Sequence, residues 1–118
     1  MGKLYDRFIR LPVRRTAMAC ALARRQACRH TQFVAVTGSS GKTTAKNMMV
    51  AVLAAKGSVK SSRGSRNAMG EMVRTIMAVR GSHAFCVMEM GAGRVGSIRS
   101  LAEIFLPDIS VITCVNRE

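Results

Sequence analysis

The sequence predicts an α/β fold, a P-loop-type parallel sheet with flanking helices, preceded by a basic N-terminal helix. Three observations carry this. From residue 32 onward, short apolar β-branched runs alternate with stretches of helical period. The runs are continuously apolar, as in strands covered on both faces. A glycine-rich loop, Gly38-Ser39-Ser40-Gly41-Lys42-Thr43-Thr44, falls where the first of these strands passes into a helix.

Taken in order, residues 1–31 form an Arg-rich segment in which Pro12 interrupts a first apolar patch of Leu4, Phe8 and Leu11. Residues 13–30 then read as a helix, with Met18, Ala21, Leu22 and Cys28 on one side. Phe33–Thr37 is a buried strand. A helix follows over Thr43–Lys56, with Met48, Val52 and Leu53 spaced for one face and Gly57 as its stop. Ser58–Ser62 is a short second strand, 63–67 a loop, and Ala68–Val79 a helix broken by Gly81-Ser82. Ala84–Met88 is a third strand closed by Glu89. Gly91-Ala92-Gly93 makes a loop, Ser97–Phe105 a helix, Pro107-Asp108 a turn and Ile109–Val115 a fourth strand. The expected division is a basic helical segment over 1–31 and a partial nucleotide-binding domain over 32–118.

Composition narrows the class. The 118 residues suit one domain, and 48% hydrophobic content argues for a folded core. Aromatics make up 4% with no Trp, so nine Met with Ala and Val must supply the packing. No run approaches the ~18 apolar residues of a membrane-spanning helix. The net charge is +13, with Lys3 and seven arginines against Asp6 in residues 1–32 alone. Such a balance favours polyanions: nucleotide phosphates, nucleic acid or an anionic membrane surface.

The four cysteines (20, 28, 86, 114) form no C-x-x-C, and with two His they make a poor zinc set. Cys86 and Cys114 fall in apolar runs and read as buried free thiols, which suits a reducing cytoplasm. A signal peptide fits poorly, because Arg14, Arg15, Arg24 and Arg25 confine the apolar stretch to Thr16–Ala23.

The loop carries the chemistry. Gly38 and Gly41 permit backbone conformations and close approach that side chains forbid. Successive N–H groups from Gly38, Ser39, Ser40 and Gly41 can then curl around an anion at a helix N-terminus. Lys42 adds a positive charge for β- and γ-phosphates. Thr43 offers a hydroxyl to a phosphate-bound Mg²⁺, and Thr44 can cap the helix and touch a further phosphate oxygen. The common spacing, G-x-x-x-x-G-K-[ST], would place glycine at Val36, so this is a shorter G-x-x-G-K-T. Glu89 ends an apolar strand at the edge where parallel sheets bind ligands, and its carboxylate can hold Mg²⁺. Read alone, it is equally a solvated acid or an arginine's partner. Glu71, Glu103 and Asp108 lie on helices or turns and read as solvated surface.

Val36-Thr37 followed by the Gly38–Thr44 loop resembles the nucleotide loop of the Mur ligases, the ATP-dependent amide-forming enzymes of bacterial cell-wall precursor synthesis. Glu89-Met90-Gly91-Ala92 and Pro107-Asp108-Ile109-Ser110-Val111-Ile112-Thr113 resemble later family segments in order. Asn67-Ala68-Met69-Gly70 is similar, more loosely, to a family Asn-x-Ile-Gly. The E-M-G-A form is most similar to the branch adding D-alanyl-D-alanine to a UDP-muramoyl-tripeptide. The resemblance covers residues 32–118.

It implies catalytic roles for Lys42 and Glu89, nucleotide binding by the loop, and a metal site at Thr43 and Glu89. Asn67 would lie near nucleotide or substrate, although a helix N-cap before Ala68 explains it equally well. The implied cofactors are ATP and Mg²⁺. The implied reaction passes the γ-phosphoryl group to a substrate carboxylate, and an amine then attacks the acyl phosphate.

The departures from the family set expectations too. About 31 residues precede the first central strand, too few for the family's sugar-nucleotide domain. Cys114 and Asn116 stand where the family has asparagine and glycine. The family's metal-binding histidine and carbamylated lysine would fall beyond Glu118. We therefore expect a partial chain, not competent for ligation alone, with a UDP-muramoyl-peptide-like partner only in a full-length ligase. The alternative is a non-catalytic nucleotide-binding remnant whose Arg-rich helix binds anionic lipid or nucleic acid. Against it, the helix has a small, alanine-rich apolar face and no aromatic platform, and a helix packed on the domain is the plainer reading. A small kinase is a third reading, opposed by the later motifs.

Overall fold

The computed structural model describes residues 10–63, 68–91 and 95–115. Its elements are α1 (Leu11–Ala27), β1 (Gln32–Thr37), α2 (Lys42–Ala54), β2 (Ser58–Ser61), α3 (Ala68–Ala78), β3 (His83–Glu89), α4 (Ser97–Phe105) and β4 (Ile109–Ile112). The four strands form one sheet in the order β2-β3-β1-β4. Every pairing is parallel, with Val36 opposite Glu89 on one side of β1 and opposite Val111 on the other.

Alternation along β1 divides the core. Phe33 and Ala35 point to one face, where they join Met72, Ile76, Cys86, Met88, Leu101, Ile104 and Phe105 under α1, α3 and α4. Val34 and Val36 point to the other face, where Val87 completes a smaller cluster beneath Ala45, Met49, Val50 and Leu53 of α2. The result is helix, sheet and helix in three layers. Phe33 and Phe105 meet edge to face, with ring centres 5.2 Å apart. Each fully buried side chain of this size contributes about 1.5–3 kcal/mol.

Two sequence expectations change here. Pro12 sits in the first turn of α1, where its missing N–H has no intrahelical acceptor to lose, while Leu4 and Phe8 of the expected patch lie outside the described residues. That helix stops at Ala27 rather than 30, because Cys28 leaves the helical region. On α2, Met48 and Val52 are exposed at 65% and 67%, and only Leu53 of the expected trio faces the sheet. The sheet covers one flank of a helix whose second half, residues 48–54, is apolar all round, so spacing alone could not choose the flank.

The helix α1 is packed on the domain. Ala21 is fully buried among Phe33, Met72 and Phe105. Arg24 donates to the carbonyl of Val79. Arg25 donates from Nε to the Phe105 carbonyl at 2.6 Å, and its guanidinium lies 3.8 Å above the Phe33 ring. Two arginines of the basic segment are thus engaged inside the fold. No helix among the described residues is long and apolar enough to cross a membrane.

Candidate functional site

The chain leaves β1 towards α2 on one face of the sheet and leaves the neighbouring β3 towards α4 on the other. Between two such strand ends a parallel sheet opens a crevice at its C-terminal edge. The loop Gly38–Gly41 lies on one side of that crevice and Glu89 on the other.

Backbone geometry shapes the loop. Gly38 has φ +143° and Gly41 φ +77°, both in the region that favours glycine. A β-carbon on Gly41 would meet nothing within 4 Å, so the backbone there faces open space. Gly41 is also the N-cap of α2 and provides no side chain to cap it. The first-turn amides of α2 therefore point outward without an intrahelical acceptor, at the positive end of the helix dipole.

The segment after β4 braces this loop from behind. Ser39 donates its N–H to the Cys114 carbonyl at 2.9 Å, Thr113 N–H donates to the Thr37 carbonyl at 3.0 Å, and Thr113 Oγ1 donates to the Ser40 carbonyl at 2.6 Å. Cys114 lies half-buried beyond the end of β4, with Sγ 3.3 Å from Ser40 Oγ. This corrects the expectation of a buried strand thiol. The Ser40 hydroxyl contact, then the Ser40 backbone contact, hold its pKa below the ordinary thiol value, with burial opposing. Cys86 is buried as expected, and desolvation pushes its thiol up to about 12.

The side chains converge. Lys42 Nζ donates to the Gly38 carbonyl at 2.9 Å, which folds the lysine back over its own loop. Thr43 Oγ1 donates to Glu89 at 2.9 Å and 3.0 Å, one distance to each carboxylate oxygen. Lys46, one turn further along α2, is 5% exposed; its Nζ donates to the Ser62 carbonyl at 2.8 Å and stands 3.9 Å from Glu89 Oε2. Thr37 Oγ1 donates to the Met90 carbonyl at 2.8 Å, tying the ends of β1 and β3 together. Thr44 is exposed in the first turn of α2. Asn67 lies outside the described residues.

Sequence reasoning missed Lys46, Thr113 and Cys114. For Lys46 a signal existed: it is three residues after Thr43, hence on the same flank of α2. Two acids read as solvated also prove to be engaged. Glu71 is buried and accepts from the Arg63 N–H at 3.0 Å. Asp108 accepts from the Phe33 N–H at 2.8 Å and pairs with Arg25 at 3.3 Å. Two open hollows of about 490 and 410 Å³ lie at the opposite edge of the sheet. Arg24, Lys60 and Arg80 line one, and Arg29 and His30 the other.

The donor set suits a hard cation: Thr43 and Glu89 present oxygens only, and a small octahedral ion takes one or two carboxylates and completes its shell with phosphate and water. The bare helix end and Lys42 suit a polyphosphate.

Comparison with known proteins identifies the family and the fold. Residues 36–118 match the family described as the Mur ligase middle domain. The UDP-N-acetylmuramoyl-tripeptide–D-alanyl-D-alanine ligase of Treponema pallidum is 37% identical over 82 residues, 70% of this chain and 18% of that protein. Its counterpart in Mycobacterium bovis is 38% identical over 96 residues, 80% of this chain and 19% of that protein. The chain thus spans about a fifth of the length of the curated relatives it matches. Among solved structures, MurF from Acinetobacter baumannii superposes with a TM-score of 0.79 at 30% identity, over 84% of this chain and 22% of that one. MurF ligase from Thermotoga maritima in complex with ADP gives 0.76 at 32% identity, over 86% and 23%.

Proposed function

The chain belongs to the Mur ligase middle-domain family, and from that premise we propose that it is the ATP-binding portion of a MurF-type ligase. The proposed reaction is ATP-dependent amide formation between a UDP-muramoyl-tripeptide carboxylate and the amine of D-alanyl-D-alanine, in the bacterial cytoplasm. The γ-phosphoryl group passes to the carboxylate, and the amine displaces phosphate from the acyl phosphate. The observation that carries the reading is the meeting of Thr43 and Glu89 at the head of the glycine loop.

Each residue then has a task. Backbone amides of 38–44, other than that of Ser39, which the Cys114 carbonyl holds, bind the β- and γ-phosphates and fix their orientation. Lys42 exchanges the Gly38 carbonyl for a phosphate oxygen and offsets charge on the transferring group. Thr43 and Glu89 would hold Mg²⁺, which when bound would supply further neutralisation of the polyphosphate. Ser39, Ser40 and Thr113 keep the loop backbone curled while this happens. Thr44 stays within reach of a phosphate oxygen. Asn67 we place near the nucleotide by its motif alone. The amine-bearing substrate and the sugar nucleotide call on parts of a longer ligase, so we propose nucleotide binding, not ligation, as the property of these 118 residues.

Calorimetric titration with Mg-ATP tests the reading. Wild type binds, and Lys42→Ala weakens binding by at least about tenfold, the loss of one charge-assisted contact. Equal affinity in the two proteins rejects a phosphate-binding role for the loop.

A further inference from the structure

Lysine is rarely buried without a partner, and Lys46 is 5% exposed at the edge of the candidate site. Its ammonium donates to the Ser62 carbonyl at 2.8 Å and stands 3.9 Å from Glu89 Oε2. Ser62 is itself fastened to β3 on both sides of Met88: its N–H donates to the Val87 carbonyl at 3.1 Å, and its hydroxyl accepts from the Glu89 N–H at 3.3 Å. Lys46 is therefore anchored to the same stretch of backbone that sets where Glu89 begins.

Thr43 and Lys46 lie three residues apart on α2, so both face the carboxylate. The hydroxyl reaches both oxygens, at 2.9 and 3.0 Å, whereas the ammonium pairs with Oε2. A hydroxyl has one proton and two lone pairs, so Thr43 can face a cation and still donate to one carboxylate oxygen, but it does not fix which one. The Lys46 ammonium stands on the Oε2 side alone and supplies that bias.

We propose that Lys46 is a positioning residue that orients Glu89 for a divalent cation through its ion pair to Oε2, leaving Oε1 for the metal. The inference rests on the nucleotide-binding reading above and adds a residue that the loop motif does not contain. A purely structural role, fastening α2 to β2 through the Ser62 carbonyl, is the competing account. It needs a hydrogen-bond donor at this position but no charge.

The experiment measures ATP affinity of the 118-residue chain by calorimetry in excess Mg²⁺ and again in EDTA. The ratio of the two affinities is the metal's increment. Lys46→Gln keeps a donor and removes the charge, Lys46→Met removes both, and Lys46→Arg keeps both. We expect the increment to fall by about tenfold in Lys46→Gln and Lys46→Met, the scale on which partners of metal ligands act, and to survive in Lys46→Arg. In a Glu89→Gln background the same changes should add nothing, because Lys46 acts through that carboxylate.

Circular dichroism reports folding of each variant. Should Lys46→Met not fold, Lys46→Gln against Lys46→Arg decides. A wild-type increment in Lys46→Gln overturns the positioning role while leaving the phosphate loop intact. No ATP binding by the wild-type chain in either buffer rejects the loop's function, and this inference with it.

Discussion

A β-carbon built on Gly38 would come within 2.0 Å of Thr113 Oγ1, so the glycine of the first strand's loop is packed directly against the residue that follows the last strand. The Cys114 N and O atoms would lie 3.1 Å from the same β-carbon.

Gly38→Ala should therefore displace the bracing segment as well as strain a backbone at φ +143°. We expect a loss of about 1–3 kcal/mol in urea denaturation, with ATP affinity reduced. An unchanged midpoint would show that the segment after β4 yields without cost.

Cys114 and Cys86 should separate by pH. The Ser40 contacts lower the Cys114 pKa, so its alkylation by iodoacetamide should have its midpoint below the ordinary thiol range, while Cys86, pushed up to about 12, stays protected in the folded protein. The folded state holds the Cys114 proton less tightly than the unfolded chain does. This contribution to stability is therefore full above the ordinary thiol value and lost as pH falls through the lowered one. Peptide mass spectrometry across a pH series reads both sites. Mg-ATP should slow the Cys114 reaction, since the thiol touches Ser40 of the loop.

Asp108→Ala leaves the Phe33 N–H without its 2.8 Å side-chain acceptor at the start of β1. Loss of about 1–2 kcal/mol is expected from this hydrogen bond to a charged group. Thermal denaturation in low and high salt distinguishes the two partners of Asp108. A cost that vanishes in salt would point to the ion pair with Arg25, whose Asp108 end is open to solvent, instead.

Removing residues 1–31 should destabilise the fold and impair nucleotide binding with it, because Ala21 and Arg25 cover Phe33 and Phe105. This differs from what an independent basic tail predicts. If the shortened chain kept its melting temperature and bound ATP as before, α1 would be an appendage.

Strands β1, β3 and β4 were legible as mostly apolar runs with Gly or Pro beside them, whereas β2, Ser58–Ser61, holds one apolar residue and was marked chiefly by Gly57 before it. The place of Glu89 at the end of β3 was legible from the run it closes, but its meeting with Thr43 was not, since that contact spans two elements. Charged residues elsewhere were harder. Lys46 drew no reading at all, and Glu71 and Asp108 read as solvated, since a one-dimensional pattern marks a charge as surface unless a partner is visible. Their partners are backbone groups 16, 8 and 75 residues away. Cys114 shows the same blindness, because the end of β4 at Ile112 is set by tertiary pairing and not by the apolar run, which continues to Val115.

The central position of β1 also has a consequence in time. Its two neighbours are β3 and β4, so the earliest of the four described strands is flanked by the two latest of them. During synthesis, β1 must wait for about fifty residues before its first neighbour emerges, and longer for its second. Thr113 and Cys114 then arrive more than seventy residues after the loop they brace. The nascent loop cannot reach its finished shape until Thr113 and Cys114 have left the ribosome.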